Sequence, residues 1–110
     1  EEVNRELNKH NYEDQIVFRE VTCLRAMHKP EEALKSLNKL IARNKADDTG
    51  YLNRARLYES LGKHKEAISD YSVSIDLASS TTTLKERAAV YEKMGRRDLA
   101  DRDRKEADRL

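Results

Sequence analysis

Two stretches of this chain repeat each other at a fixed distance, and that constrains the fold more than any other feature. Residues 51–72 read YLNRARLYESLGKHKEAISDYS, and residues 84–105 read LKERAAVYEKMGRRDLADRDRK. Arg54, Ala55, Tyr58, Gly62 and Ala67 recur as Arg87, Ala88, Tyr91, Gly95 and Ala100, all at a single offset of about 33 residues. A weaker copy precedes them at an offset one residue longer: Val21, Leu24, Ala33 and Ile41 correspond to Ala55, Tyr58, Ala67 and Ile75. The polar run Ser79–Thr83 is the natural place for one residue to be lost between copies, because loops tolerate deletion. A repeat of this length is one small unit that cannot bury its apolar face alone, so the copies must stack on one another.

Each copy splits into two helical segments. Tyr51, Ala55, Tyr58 and Leu61 form a stripe at helical period, and Gly62 follows where a left-handed residue ends a helix cheaply. The next segment places Ala67, Ile68, Tyr71, Ile75 and Leu77 on one side and Lys63, Glu66, Ser69 and Asp70 outside. Gly95 repeats the device in the third copy. The first copy has no glycine there and is read as using Pro30, followed by Glu31 and Glu32 at the positive end of a helix. The spacing predicts six helices over about 13–28, 31–44, 48–61, 64–78, 82–94 and 97–109. Composition agrees. Three glycines and one proline in 110 residues are too few for the turns of a β-sandwich. A charged fraction of 39% beside an apolar fraction of 37% suits a thin, well-solvated helical stack. The fold class expected is all-α, an α-solenoid of three helix–turn–helix repeats.

This pattern resembles the tetratricopeptide repeat family, whose unit is a helix pair of about 34 residues. Counted from Asp14, Asp48 and Thr81, the small residue of family position 8 falls on Val21, Ala55 and Ala88. The aromatic of position 11 falls on Leu24, Tyr58 and Tyr91, and the alanine of position 20 on Ala33, Ala67 and Ala100. Position 24, usually aromatic, holds Leu37, Tyr71 and Arg104. The family's tryptophan is replaced by Val17, Tyr51 and Leu84, and its boundary proline by Lys45 and Ser79. The repeats are thus placed at about 14–47, 48–80 and 81–110 within a domain over 13–110. Residues 1–12 are either a leader or the remnant of a preceding repeat, because Val3 and Leu7 stand one repeat interval before Leu37 and Ile41. The last helix carries Asp101, Arg104 and Asp108 at apolar places, as a solvated end cap should.

The chemistry that would make an enzyme is missing. Cys23 is the single cysteine, which excludes a disulfide framework, and it is read as a buried small residue at the place of Leu57 and Val90. His10, His28 and His64 have no second ligand at metal spacing, and no glycine-rich loop precedes a helix. No catalytic residue, metal or cofactor is expected. The net charge of +1 argues against a nucleic-acid partner, and no apolar run is long enough to span a membrane. A single cysteine permits any compartment; the cytoplasm is favoured.

What remains is a surface. The resemblance implies that the first helices of the repeats line a concave groove that binds a peptide or partner segment. The groove places are Gln15, Phe18, Arg19, Thr22, Arg25 and Ala26 in the first copy. In the second they are Thr49, Leu52, Asn53, Arg56, Glu59 and Ser60, and in the third Thr82, Lys85, Glu86, Ala89, Glu92 and Lys93. Phe18, Arg19, Thr22, Leu52, Asn53, Arg56, Lys85 and Ala89 are the candidate binding residues. Arg19, Arg56 and Lys85 suit a carboxylate, Asn53 a backbone amide, and Phe18 and Leu52 an apolar side chain. The clamp that co-chaperone members of the family use for a C-terminal aspartate matches only at Asn53. Phe18, Thr22, Thr82 and Glu86 do not fit it, so a chaperone-tail adaptor is disfavoured. The expected function is a non-catalytic protein-interaction scaffold. The alternatives are a structural or self-association module of a larger protein, or an accessory domain of a multidomain enzyme.

Overall fold

A computed structural model describes residues 15–110 of the chain. Among these residues there are six helices and no strand: α1 over 15–26, α2 (Pro30–Arg43), α3 (Asp48–Ser60), α4 (His64–Leu77), α5 (Thr81–Lys93) and α6 (Arg97–Arg109). The expectations for residues 1–12, with Val3, Leu7 and His10, lie outside the described residues. Helices adjacent in sequence pack on each other, and the molecule measures 48 × 33 × 19 Å. Its short dimension is two helix layers of about 10 Å each. It is the fold of a helical repeat solenoid.

The helix pairs turn by one device used three times. Gly62 and Gly95 sit at φ +75° and +78°. Their N–H groups donate to Glu59 and Glu92, and the next residues, Lys63 and Arg96, donate to Tyr58 and Tyr91. These bonds satisfy carbonyls that the end of a helix leaves open. The first copy was expected to turn at Pro30 without such a residue. Instead His28 takes the left-handed place at φ +58°, with His28 N–H donating to Arg25 and Lys29 N–H to Leu24. Pro30 only opens α2. A histidine is held there against a backbone cost of about 1–2 kcal/mol, because the same two bonds close the turn.

The core follows the alanine places. Val21, Ala33, Leu37, Leu40 and Leu57 form one buried cluster across α1, α2 and α3, and Ala55, Ala67, Tyr71 and Val90 form the next across α3, α4 and α5. Small residues at the crossings let the backbones approach. A Cβ on Gly50 would stand 3.2 Å from Ile41 Cγ1, so α3 starts close against α2. Asp47 caps α3 by accepting from the Thr49 N–H at 3.0 Å.

Asp70, which the sequence reading places outside, is buried, and its repeat counterpart Asp103 is buried with it. Asp70 is 4% exposed and so is Asp103. Each receives two hydrogen bonds from an arginine on the partner helix of its own repeat. Arg54 donates to Asp70 at 2.7 and 2.8 Å, and Arg87 donates to Asp103 at 2.8 and 2.6 Å. Each arginine also reaches the preceding repeat: Arg54 donates to Asn38 Oδ1 at 3.0 Å, and Arg87 to Ser72 Oγ at 3.0 Å. The Arg54 guanidinium lies 5.6 and 5.9 Å from the ring centres of Tyr51 and Tyr58, and that of Arg87 lies 5.7 Å from Tyr91. Each arginine therefore ties three helices together. Desolvated carboxylates are tolerated because both oxygens are satisfied by a planar fork of donors. Hydrogen bonding to the carboxylate raises both arginine pKa values above their ordinary range.

Two apolar expectations also change. Leu77 is exposed, and Ser74 takes the buried place one turn earlier, donating to the Asp48 carbonyl at 3.0 Å. Cys23 is exposed, although its counterparts Leu57 and Val90 are fully buried. Those two lie beneath the second helix of the repeat before them, and among the described residues no such helix precedes α1.

Candidate functional site: the face of α1, α3 and α5

The odd-numbered helices lie side by side on one layer, and the two seams between them differ. Across the α3/α5 seam, Arg56 Nε and Nη2 donate to the Glu86 carboxylate at 2.8 to 3.2 Å, and Lys93 pairs with Glu59. The bond to Glu86 raises the Arg56 pKa. Arg25, Glu59, Ser60, Tyr71, Ala89 and Lys93 line the shallow cleft around these pairs, about 430 Å³ in volume. Tyr71 lies at its base; burial first, then Glu86 and Glu59, push its phenol pKa well above the usual 10.0.

The α1/α3 seam has no such pairs among the described residues. The repeat places of Arg56 and Glu59 are held by Thr22 and Arg25 in α1, and those of Glu86 and Lys93 by Asn53 and Ser60 in α3. Thr22 donates its hydroxyl to the Phe18 carbonyl at 2.9 Å, and Asn53 donates its amide to the Thr49 carbonyl at 2.8 Å, so both bond within their own helices. The seam stays open as a cleft of about 530 Å³ lined by Thr22, Arg25, Ala26, Pro30, Leu57 and Leu61, among others. His28 and Ser60 complete the lining, so apolar and polar groups alternate along it. Arg25 stands at its rim, exposed, with no ion pair among the described residues.

The candidate residues separate accordingly. Phe18, Arg19 and Thr22 line a small apolar depression beside Cys23, and Thr22 also lines the open seam. Phe18 is half-buried against the first core cluster and Leu52 against the second, so each spends much of its apolar surface inside the fold. Arg56 and Ala89 lie in the closed seam, with the Arg56 fork already filled by Glu86. Arg19 and Lys85 are exposed. Arg25 and Ala26, two of the groove places that were not chosen as binding residues, line the larger cleft. Among the described residues no cluster of His, Cys, Asp or Glu is placed to hold a metal ion, and no helix is long and apolar enough to cross a membrane.

Comparison with known proteins supports the repeat assignment. Residues 49–81 match the family model for the tetratricopeptide repeat. No curated protein sequence matches the chain. Among solved structures, one similar fold is the crystal structure of MamA protein, 25% identical over 79% of this chain and 48% of that one, with a TM-score of 0.75. The second TPR of Spaghetti (RPAP3), bound to HSP90 peptide SRMEEVD, is 23% identical over 81% of this chain and 83% of its own, with a TM-score of 0.74. The first TPR of the same protein, bound to the same peptide, is 21% identical over 84% and 75%, with a TM-score of 0.77. The chain spans about half the length of the MamA chain it matches first. Residues 49–81 thus match one tetratricopeptide repeat, and the described residues on either side of it fold into helix pairs like those of these solved repeat structures.

Proposed function

We propose that this chain is a non-catalytic protein-interaction module that holds a segment of a partner protein along the face of α1, α3 and α5. The observation that carries this reading is the open α1/α3 seam. It combines Ala26, Pro30, Leu57 and Leu61 with an arginine that has no ion pair among the described residues, while two ion pairs bridge the adjoining seam. Arg19, Arg25 and Lys85 stand on this face with no carboxylate partner among the described residues, whereas Glu59 and Glu86 are neutralised by Lys93 and Arg56. The field over the groove is positive and favours an acidic segment with one apolar side chain to fill the seam. The two RPAP3 structures with a similar fold hold a peptide, which supports a binding role of this kind.

Selection of a displayed random peptide library on the immobilised protein tests this. Enriched peptides should combine carboxylates with an apolar residue. Arg25→Glu, and Ala26→Trp to fill the seam, should each weaken their binding about tenfold or more, measured by fluorescence anisotropy. Selected peptides that bind both variants as well as the parent would refute the site. A protein that selects no peptide, yet grows in mass with concentration in sedimentation velocity, would favour self-association instead.

A further inference from the structure

Tyr71 carries a hydroxyl that the fold does not use. The residue is 1% exposed and lines the cleft between α3 and α5, and its hydroxyl makes no hydrogen bond among the described residues. A buried phenol ordinarily finds a partner, because an unpaired hydroxyl away from water is costly. Packing does not require the oxygen, since the same place one repeat earlier is held by Leu37, fully buried. Burial, then Glu86 and Glu59, push the phenol pKa up, so the group stays protonated and able to donate; Arg56 and Arg25 act on it in the opposite direction. The charges around it leave one cation over. Arg56 is matched by Glu86 and Lys93 by Glu59, whereas Arg25 lines the same cleft with no ion pair among the described residues. Arg25 and Ser60 also line the α1/α3 cleft, so the two clefts meet at these residues.

We propose that Arg25 and the Tyr71 hydroxyl form a subsite for one carboxylate of the bound segment, at the junction of the two clefts. A carboxylate is the group that satisfies both: its oxygens accept from a guanidinium fork and from a hydroxyl at once, and its charge matches the unmatched arginine. Glu59 and Glu86 oppose it little, because Lys93 and Arg56 offset their charges. A side-chain amide accepts a bond from Tyr71 but leaves the Arg25 charge unmatched, and a cation is repelled by it. From this point an apolar neighbour of the carboxylate reaches the α1/α3 cleft against Ala26, Leu57 and Leu61. The subsite rests on the groove reading above and adds to it Tyr71 of α4, a helix outside the groove layer.

Carbon-13 NMR at the tyrosine Cζ atoms reads the hydroxyl directly, with the Tyr71 signal assigned by its loss in Tyr71→Phe. N-acetyl-leucyl-glutamate amide presents a side-chain carboxylate, N-acetyl-leucine a terminal one, and N-acetyl-leucyl-glutamine amide neither. Titrated to about 50 mM at neutral pH, at least one carboxylate should shift the Tyr71 signal saturably, the tighter one identifying the source, while the glutamine compound should not. Arg25→Gln should weaken that response about fivefold or more. A Tyr71 signal that moves with none of the three, moves equally with the glutamine compound, or responds as strongly in Arg25→Gln overturns the proposal. Acidic peptides selected by display give a second measurement. Tyr71→Phe should weaken their binding about five- to tenfold with no fall in the urea midpoint, because no hydrogen bond within the fold is lost. Peptides that bind Tyr71→Phe as tightly as the parent overturn the subsite and leave the groove reading standing. If no acidic peptide is selected, the groove reading falls, and the small carboxylates still decide the subsite.

Discussion

Asp70→Ala should be among the most damaging single substitutions in the second repeat. The Asp70 side chain is 6% exposed and that of Arg54 is 21% exposed. Removing the carboxylate takes away two charge-assisted bonds and leaves a guanidinium without its anion. Breaking such a pair on one side costs about 3–5 kcal/mol when the remaining charge is fully buried. Arg54 keeps its bond to Asn38 and the faces of Tyr51 and Tyr58, and part of it reaches water. The cost therefore falls to about 2–4 kcal/mol, a drop of about 10–25 °C in melting temperature for a domain of this size. Removing both partners tests the cause. Arg54→Met with Asp70→Leu fills the volume with apolar groups and should recover most of the loss, because no unpaired charge remains. Urea unfolding followed by circular dichroism measures the parent, Asp70→Ala, Arg54→Met, Asp70→Leu and the double variant. If Asp70→Ala costs less than about 1 kcal/mol, or if the double variant is as unstable as the sum of the single ones, the pair does not work as described.

Other outcomes follow from the same geometry. Gly62→Ala should cost about 1 kcal/mol through the backbone alone, since an added Cβ meets nothing within 4 Å; His28→Gly should gain a similar amount, both read from urea midpoints. Glu92→Ala, which removes the exposed pair with Arg104, should leave the urea midpoint nearly unchanged, in contrast to Asp70→Ala. Burial raises the Tyr71 phenol pKa, so the stability it contributes is complete below its ordinary value of 10.0 and is lost as pH rises beyond it towards the raised folded value. Absorbance at 295 nm should then show a late step in tyrosine ionisation that accompanies unfolding, and Tyr71→Phe should remove it; a late step that persists in Tyr71→Phe would refute it.

Much of this architecture was legible in periodicity. Alanines that recur at the repeat interval mark helix crossings wherever the helices lie, because only a small side chain admits a close approach. Ala33, Ala55, Ala67, Ala88 and Ala100 are all fully buried. The arginine ties leave a mark in the sequence too. Arg54 and Arg87, Asp70 and Asp103, and Asn38 and Ser72 recur at the repeat interval. Reading the helices one at a time put Asp70 on a solvated face, since a charge looks exposed until its partner on another helix is known. Ser74 was missed for the same reason: its burial depends on a carbonyl of α3.

The groove shows the limit more sharply. Sequence alone determined that helix pairs recur at the repeat interval, and the family resemblance implied which places of the odd helices face a groove. It did not determine which of those residues are free. Arg56 and Glu86 are 30 residues apart, and only the packing of α3 beside α5 brings them to 2.8 Å and spends both charges on each other. Arg25, equivalent to Glu59, meets no such partner among the described residues, because α3 presents Ser60 where α5 presents Lys93. Direction along a helix is a local property and can be counted from residue spacing. Whether a charge remains available depends on distances between helices, and those are set only when the repeats stack.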